Sequence, residues 1–287
     1  MKIFARISLI FLSFVLILPY TVSKADSMDL NMVFVPASEK GDDQDYVNLI
    51  KIIGDLTGIK ITPIRVTDYN AAVEAVRANR AQIAWYGGKT YIQAVEIADV
   101  EAFAAGVRKG DSDASYFAYF VVPSDSELMT LKDVKGKKLA LNSIGSTSGD
   151  LIPQVELMKA GLSVKNKDDF ERVFYAGSHD ACLMAAINKH VDVCGMSSRN
   201  FDARVADGTL DPSLVRIIHR STPVPPPPLA YSKKLPLEIR NNIKTATLEA
   251  HKYGRIGGYG GEMSHYIEIT DSDYDLLREV DKLLNSQ

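Results

Sequence analysis

Short apolar runs alternate with segments of helical periodicity through most of the chain, and this alternation restricts the fold more than any other feature. An apolar run of about six residues is typical of a buried strand, whereas apolar residues spaced by three or four are typical of a helix. The runs predict strands at residues 30–36, 61–66, 82–86, 102–107, 116–122, 138–142, 170–175, 191–196 and 215–219. The periodic segments predict helices at residues 46–56, 69–78, 179–189, 199–207, 238–252 and 272–284, and two more that end at Ala98 and Ala160. This order predicts an α/β fold with a mostly parallel sheet covered on both faces.

The predicted elements divide into two units, and the chain crosses between them twice. The first unit ends near Pro123, and residues 223–228 include five prolines. A proline run lacks backbone donors and stays extended, so we interpret it as the segment that returns to the first unit. We therefore assign residues 26–122 and 223–287 to lobe 1 and residues 123–222 to lobe 2, with a hinge at the two crossings. Ligands of such folds bind outside the carboxyl ends of the strands.

Residues 1–25 have the pattern of a secretory signal peptide. Lys2 and Arg6 precede an apolar run of about a dozen residues, and Ala25 follows small residues that suit a cleavage site. The alternative is an uncleaved anchor helix, although the run is short for a bilayer. Cleavage would leave 262 residues with 30 basic and 36 acidic side chains, a net charge near −6. An acidic exported chain is predicted to have no nucleic-acid partner and no membrane anchor.

A glycine- and hydroxyl-rich loop at residues 145–149 is the clearest chemical signal. It reads Gly-Ser-Thr-Ser-Gly between a predicted strand and a predicted helix. The glycines allow a close backbone approach, and the hydroxyls of Ser146, Thr147 and Ser148 join the free N–H groups of the helix start. This combination favours a tetrahedral oxyanion. The alternative is an ordinary helix cap, because Ser and Thr are common there.

Further candidates lie where strands end or helices begin. His179 opens a helix after the Gly177-Ser178 loop and could donate a ring N–H to an anion. Tyr69, Tyr86 and Tyr116 flank predicted strands, and a tyrosine hydroxyl can reach a ligand while its ring packs against the protein. For each tyrosine alone, and for a lone histidine, a structural role is the alternative.

Together these segments resemble the periplasmic binding proteins of phosphonate and phosphite ABC transporters. The resemblance covers about residues 28–260 and rests on the motifs at residues 68–69, 83–87, 116, 146–149 with Pro153, 176–179, 191–192 and 220–228. It implies a type II periplasmic-binding-protein fold with two α/β lobes that close over a small ligand. It also implies that Ser146, Thr147 and His179 hold the ligand oxygens, with Ser148 beside them and Tyr69 and Tyr116 closing from lobe 1.

Two positions depart from the relatives that bind aminoethylphosphonate. Where these relatives hold the ammonium with two acidic residues, the resemblance places Arg199 and Pro227 here. An arginine in the pocket would favour a ligand with extra negative charge. A simple oxyanion such as phosphite, methylphosphonate or phosphate also fits, and pairing of Arg199 with a nearby aspartate is the structural alternative.

The two cysteines leave three interpretations open. Cys182 and Cys194 could form a disulfide in an oxidising compartment, could be buried as small apolar residues, or could bind arsenite as thiols. The arsenite interpretation leads to the alternative function, a periplasmic sensory protein that docks on a membrane receptor.

The function predicted from the sequence is that of a solute-binding component, and not of an enzyme. We expect a monomer that binds a small anionic ligand and docks on an ABC transporter permease, with no cofactor and no metal site. The strongest enzyme hypothesis is a hydrolase with Ser146 or Ser148 as nucleophile, His179 as base and Asp180 as the acid. No Gly-x-Ser-x-Gly elbow accompanies these residues.

Overall fold

The computed structural model describes residues 28–39 and 43–286, so the predicted signal peptide lies outside the described residues. In this part of the chain the strands are β1 (Asp29–Phe34), β2 (Lys60–Arg65), β3 (Ile83–Trp85), β4 (Val100–Arg108), β5 (Ala118–Pro123), β6 (Lys137–Leu141), β7 (Phe170–Tyr175), β8 (Val193–Ser197), β9 (Val215–Arg220), β10 (Leu229–Ser232), β11 (Ile256–Gly258) and β12 (Gly261–Glu268). The helices are α1 (Asp43–Thr57), α2 (Tyr69–Arg77), α3 (Gly88–Ala98), α4 (Ile152–Lys159), α5 (His179–Ile187), α6 (Ser198–Ala206), α7 (Leu237–Glu249) and α8 (Asp275–Asn285). None of the helices described is long and apolar enough to cross a membrane.

The strands form two sheets, each with its own buried core. The seven-stranded sheet has the order β11-β12-β4-β10-β3-β1-β2, and the five-stranded sheet has the order β7-β6-β8-β5-β9. Side chains such as Leu49 and Phe103 fill the core of the first, and Phe120, Leu139 and Leu157 fill the core beneath the second. We call the part built on the seven-stranded sheet lobe 1 and the part built on the five-stranded sheet lobe 2.

The sheets are mixed, so the prediction of a mostly parallel sheet is wrong. Parallel pairing is confined to β3-β1-β2 and β7-β6-β8. The strands β10 and β12 run antiparallel to their neighbours in lobe 1, and β5 runs antiparallel to β8 and β9 in lobe 2. The apolar pattern did not predict β10, β11 or β12, because β10 is short and the β11–β12 hairpin is rich in glycine.

The chain crosses between the lobes at two segments that pair with each other. Tyr116 and Val224 form an isolated antiparallel bridge, with N–H···O distances of 3.2 Å and 2.8 Å. The proline run connects β9 of one sheet to β10 of the other, which confirms its interpretation as a return crossing. Pro123 instead ends β5 inside lobe 2, because a strand's sheet depends on partners distant in sequence. We therefore propose a lobe 2 that runs from β5 to β9, with the hinge at the Tyr116–Val224 bridge.

Candidate functional site

The Gly145–Gly149 loop lies between β6 and α4, at the face where lobe 2 meets lobe 1. Its middle residues begin a π-helical turn, Thr147–Leu151, that runs directly into α4. The Ser146 hydroxyl accepts a hydrogen bond from the Gly149 N–H at 3.1 Å and so caps this turn. Ser146, Thr147 and Ser148 are each 2% exposed. The loop therefore buries three hydroxyls between the lobes, and any polar ligand there is shielded from water.

His179 begins α5, and its surroundings determine which ring nitrogen carries the proton. The backbone N–H of Ser197, at the end of β8, donates to His179 Nδ1 at 3.2 Å. Burial lowers the pKa of His179 to about 3, so the ring is neutral at physiological pH. A neutral ring that accepts at Nδ1 carries its hydrogen at Nε2. His179 is therefore a neutral donor, and its donor atom faces the loop.

Asn142 contacts three of the cavity-lining residues, although the sequence did not single it out and it does not line the cavity itself. It follows β6, it is fully buried, and its side-chain nitrogen lies 3.1 Å from Ser146 Oγ and 3.3 Å from the Tyr69 hydroxyl. The same nitrogen lies 3.1 Å from Nε2 of His179. The Asn142 side chain thus lies within hydrogen-bond distance of Ser146, Tyr69 and His179 and holds these three cavity-lining residues together. The signal in the sequence was a polar residue at the carboxyl end of an apolar strand.

Aromatic side chains meet the loop from lobe 1 and from the crossing. The Tyr116 hydroxyl bonds to the hydroxyls of Thr147 and Ser148, although burial, the larger effect, raises its pKa. Thr147 Oγ1 also accepts the backbone N–H of Lys89, in the first turn of α3, at 2.9 Å. The indole Nε1 of Trp85 is buried and has no hydrogen-bond partner among the described residues. The Tyr116 hydroxyl and the Trp85 indole N–H therefore add donors to the hydroxyls of lobe 2.

The two sets of groups enclose a cavity of about 10 Å³, which we call the anion cavity. Six of the eight predicted ligand-binding residues line it, namely Tyr69, Tyr116, Ser146, Thr147, Ser148 and His179. The remaining lining residues are Val35, Ala37, Trp85, Gly87, Pro227 and Tyr259. The lining thus combines hydroxyl and N–H donors with apolar groups.

Comparison with known proteins identifies the family of the chain. A model of the periplasmic substrate-binding proteins of phosphonate ABC transporters matches residues 32–274. The chain belongs to this family. Membership implies a periplasmic location and a role as the solute-binding component of a transporter. The family is one of binding components and not of enzymes.

Individual relatives place the chain within the family. It is 29% identical over 191 residues to the phosphonates-binding periplasmic protein of Escherichia coli, a match that covers 65% of the chain and 55% of that relative. It is 25% identical over 278 residues to the phosphate-import protein PhnD of Mycolicibacterium smegmatis, which covers 90% of the chain and 86% of the relative. A structure of PhnD1 from Prochlorococcus marinus in complex with methylphosphonate shares the fold, with a TM-score of 0.79 and 19% identity over 90% of this chain and 99% of that one. These matches confirm the predicted two-lobe type II fold.

Two of the residues predicted to bind ligand in this family member lie elsewhere. Tyr86 is fully buried and does not line the anion cavity, whereas its neighbour Trp85 does, because neighbouring residues at a strand point in opposite directions. Arg199 is 2% exposed and also lies outside the cavity. Its guanidinium donates to the carbonyl oxygens of Ala114 at 2.8 Å, Gly106 at 3.3 Å and Tyr259 at 3.4 Å. The expectation that Arg199 selects for ligand charge therefore no longer follows.

Cys182 and Cys194 form a disulfide, which decides among the three interpretations of the cysteines. Both residues are fully buried, and the bond links α5, which begins with His179, to β8, which ends with Ser197. The chain has no other cysteine. Binding of arsenite through these two thiols would require the disulfide to be reduced. The sensory alternative therefore lacks the free thiols that it would need to bind arsenite.

Asp180 does not complete a catalytic triad with His179. One carboxylate oxygen of Asp180 accepts from Arg204 at 2.6 Å, and the other accepts the backbone N–H of Glu39 at 2.9 Å. The His179 nitrogen that an orienting acid would contact instead accepts the Ser197 N–H. The described residues also contain no cluster of three or more His, Cys, Asp or Glu side chains that could hold a metal ion. The geometry therefore suits oxyanion binding and not the hydrolase hypothesis.

The depressed pKa of His179 predicts how stability depends on pH. The folded pKa of about 3 lies below the ordinary value of 6.5, so between these values the unfolded chain binds the proton more tightly. The contribution of neutral His179 to the free energy of unfolding is fully present above pH 6.5 and is lost as the pH falls toward 3. At pH 5 this loss amounts to about 2 kcal/mol. Urea unfolding at pH 7.5 and pH 5 should show this loss in the native protein, and His179→Gln should remove it. The exposed control His251→Gln should keep it. Identical pH dependence in the native protein and His179→Gln would contradict the assignment.

Proposed function

We propose that this protein captures a compact phosphorus oxyanion, with phosphite and methylphosphonate as preferred ligands, and delivers it to an ABC transporter permease. The observation that carries the proposal is the mixed lining of the anion cavity, in which hydroxyl and N–H donors occur together with apolar groups. Phosphite and methylphosphonate combine the same two features, because each has three oxygens and one apolar substituent on phosphorus.

The donors in the cavity lining can bind the oxygens of the ligand without a cationic side chain. The hydroxyls of Ser146, Thr147 and Ser148 and Nε2 of His179 are all neutral donors. In a chain whose net charge is negative, the overall field does not attract an anion. Binding then depends on short hydrogen bonds to the ligand charge in a buried site, where such bonds are strong.

The apolar lining residues favour phosphite and methylphosphonate over phosphate. Val35, Ala37 and Pro227 line the cavity, together with the ring of Trp85. A fourth oxygen of phosphate would be buried against these groups with few donors, which costs free energy. A hydrogen or methyl group on phosphorus meets no such penalty. Pro227, where some relatives have an acid, belongs to this apolar surface.

Closure of the lobes supports a role in transport. Contacts between the lobes include an ion pair of Lys89 with the buried Asp150 at 2.8 Å and the bond of Thr147 to the Lys89 N–H. A ligand that bonds to both lobes favours the closed arrangement, and a permease can recognise that arrangement by its shape. We propose a monomer that acts in the periplasm after cleavage near Ala25. The PhnD1 relative bound to methylphosphonate is consistent with this ligand class.

A thermal-shift panel tests the proposal. The panel compares phosphite, methylphosphonate, phosphate, aminoethylphosphonate, sulfate and arsenite at equal concentration. A ligand at 100 times its Kd stabilises by about 2.7 kcal/mol, which corresponds to a rise in Tm of about 5–10 °C for lobes of this size. We expect the largest rise with phosphite or methylphosphonate. A larger rise with phosphate, aminoethylphosphonate, sulfate or arsenite, or no rise with any phosphorus oxyanion, would contradict the proposed function.

A further inference from the structure

A second cavity opens at the mouth of the cleft, next to the anion cavity. It has a volume of about 860 Å³, and we call it the mouth cavity. Lobe 1 lines it with the turn after β4 and with the β11–β12 hairpin, and lobe 2 lines it with α6. Its volume far exceeds that of the anion cavity, so it has ample space for an organic substituent of a ligand bound inside.

Tyr259, at the turn of the β11–β12 hairpin, separates the two cavities and is the one residue that lines both among those described. Its ring lies against Trp85, with centroids 4.9 Å apart, and edge-on to Tyr116 at 6.3 Å. Its hydroxyl donates to the side-chain oxygen of Asn200, which belongs to α6 and lines the mouth cavity. Tyr259 is 5% exposed and Asn200 is 7% exposed, so the pair fills the passage between the cavities.

Both lobes hold Tyr259 in this position. Its N–H lies 3.2 Å from the hydroxyl of Tyr46, and its carbonyl oxygen accepts from Arg199 of lobe 2. Gly260, which follows, has a φ of +85°, and a Cβ there would lie 2.8 Å from Cβ of Arg199. The turn therefore fits closely against α6 when the lobes are together. This contact gives Arg199 a positioning role, in place of the ligand contact predicted from the sequence.

We propose that Tyr259 sets the upper size limit of the ligand. When the lobes close over a compact oxyanion, the ring of Tyr259 seals the anion cavity and its hydroxyl joins Asn200 of the opposite lobe. A phosphonate with a longer substituent occupies the passage, prevents this contact and so opposes closure. The inference rests on the proposed function, because the selected ligands are phosphonates.

The test compares methylphosphonate with propylphosphonate by calorimetry. The mouth cavity is lined by six acidic and four basic side chains, so a neutral alkyl chain tests size without an added charge. We expect the native protein to prefer methylphosphonate by about 100-fold, as pockets that reject one or two methylenes do. Tyr259→Ala should reduce this preference by about tenfold or more by joining the two cavities. Tyr259→Phe keeps the ring and should keep most of the preference for methylphosphonate. The preference of Tyr259→Leu should lie between those of Tyr259→Phe and Tyr259→Ala.

Controls distinguish this inference from the proposed function. Tyr253→Ala removes an exposed tyrosine six residues away and should leave the preference unchanged. If the native protein binds methylphosphonate but both Tyr259→Ala and Tyr259→Leu retain the full preference, the role of Tyr259 is wrong and the proposed function stands. If the native protein binds neither phosphonate, both proposals are overturned. Tyr259→Leu keeps the test decisive if Tyr259→Ala does not fold.

Discussion

The double variant Thr147→Val/His179→Ala is expected to lose oxyanion binding while remaining folded. Thr147 contributes a hydroxyl from the loop before α4, and His179 contributes Nε2–H from the first residue of α5. A hydrogen bond to a charged group contributes about 1.5–3 kcal/mol, so loss of both should weaken binding on the order of 10² to 10⁴-fold. Calorimetry with methylphosphonate measures the loss, and urea unfolding shows whether the variant is folded.

The matched control is Thr62→Val/His251→Ala, which changes the same residue types at exposed positions of lobe 1. It should bind methylphosphonate as the native protein does. Valine preserves the volume of Thr147, which is 2% exposed, so a binding defect cannot be attributed to a void at that position. A folded double variant with native affinity would show that the Ser-Thr-Ser loop does not hold the ligand.

The loop residues were predictable because their place follows from the order of elements. A polar loop between an apolar strand and a helix opens at the carboxyl edge of a sheet, and both Ser146 and His179 lie at such loops. Asp68 shows a related local contact, since its carboxylate accepts the Ala71 N–H at 2.8 Å as a helix cap. The position of a loop after a strand and the cap of a helix depend on residues close in sequence, so both can be predicted from the sequence.

The places of Tyr86 and Arg199, which do not line the cavity, depend on side-chain direction and on distant partners. Neither the motif nor its periodicity shows that Trp85 faces the cavity and Tyr86 does not. Arg199 opens a helix, but its partners are carbonyl oxygens from β4, the crossing and the β11–β12 hairpin. The place of β5 in lobe 2 depends likewise on pairing with β8 and β9. Such contacts join residues about 60 to 100 positions apart, and an apolar pattern contains no information about them.

Gly149→Ala is expected to abolish oxyanion binding and to lower the free energy of unfolding by about 1–3 kcal/mol, as overpacking of a close contact does. A Cβ at this position would lie 2.3 Å from Cβ of Asn142 and 2.8 Å from Cε1 of His179. Neither atom can move away easily. The Asn142 N–H is bonded to the carbonyl oxygen of Gly149 itself at 2.8 Å, and the His179 ring is held by the Ser197 N–H. The added methyl group therefore displaces His179, a donor of the anion cavity, together with Asn142, which contacts Ser146 and Tyr69.

The matched control is Gly254→Ala, where the nearest atom to an added Cβ is Cδ1 of Ile52 at 3.7 Å, an ordinary van der Waals contact. Gly149 and Gly254 both lie outside the left-handed region, so neither change introduces backbone strain of that kind. Calorimetry with methylphosphonate should show binding by Gly254→Ala and none by Gly149→Ala. The methyl group displaces Asn142 and His179 but replaces neither side chain. This variant therefore tests whether their positions matter, separately from their chemical identity. A folded Gly149→Ala protein with native affinity would mean that the close approach of the loop to these two side chains is not needed for binding.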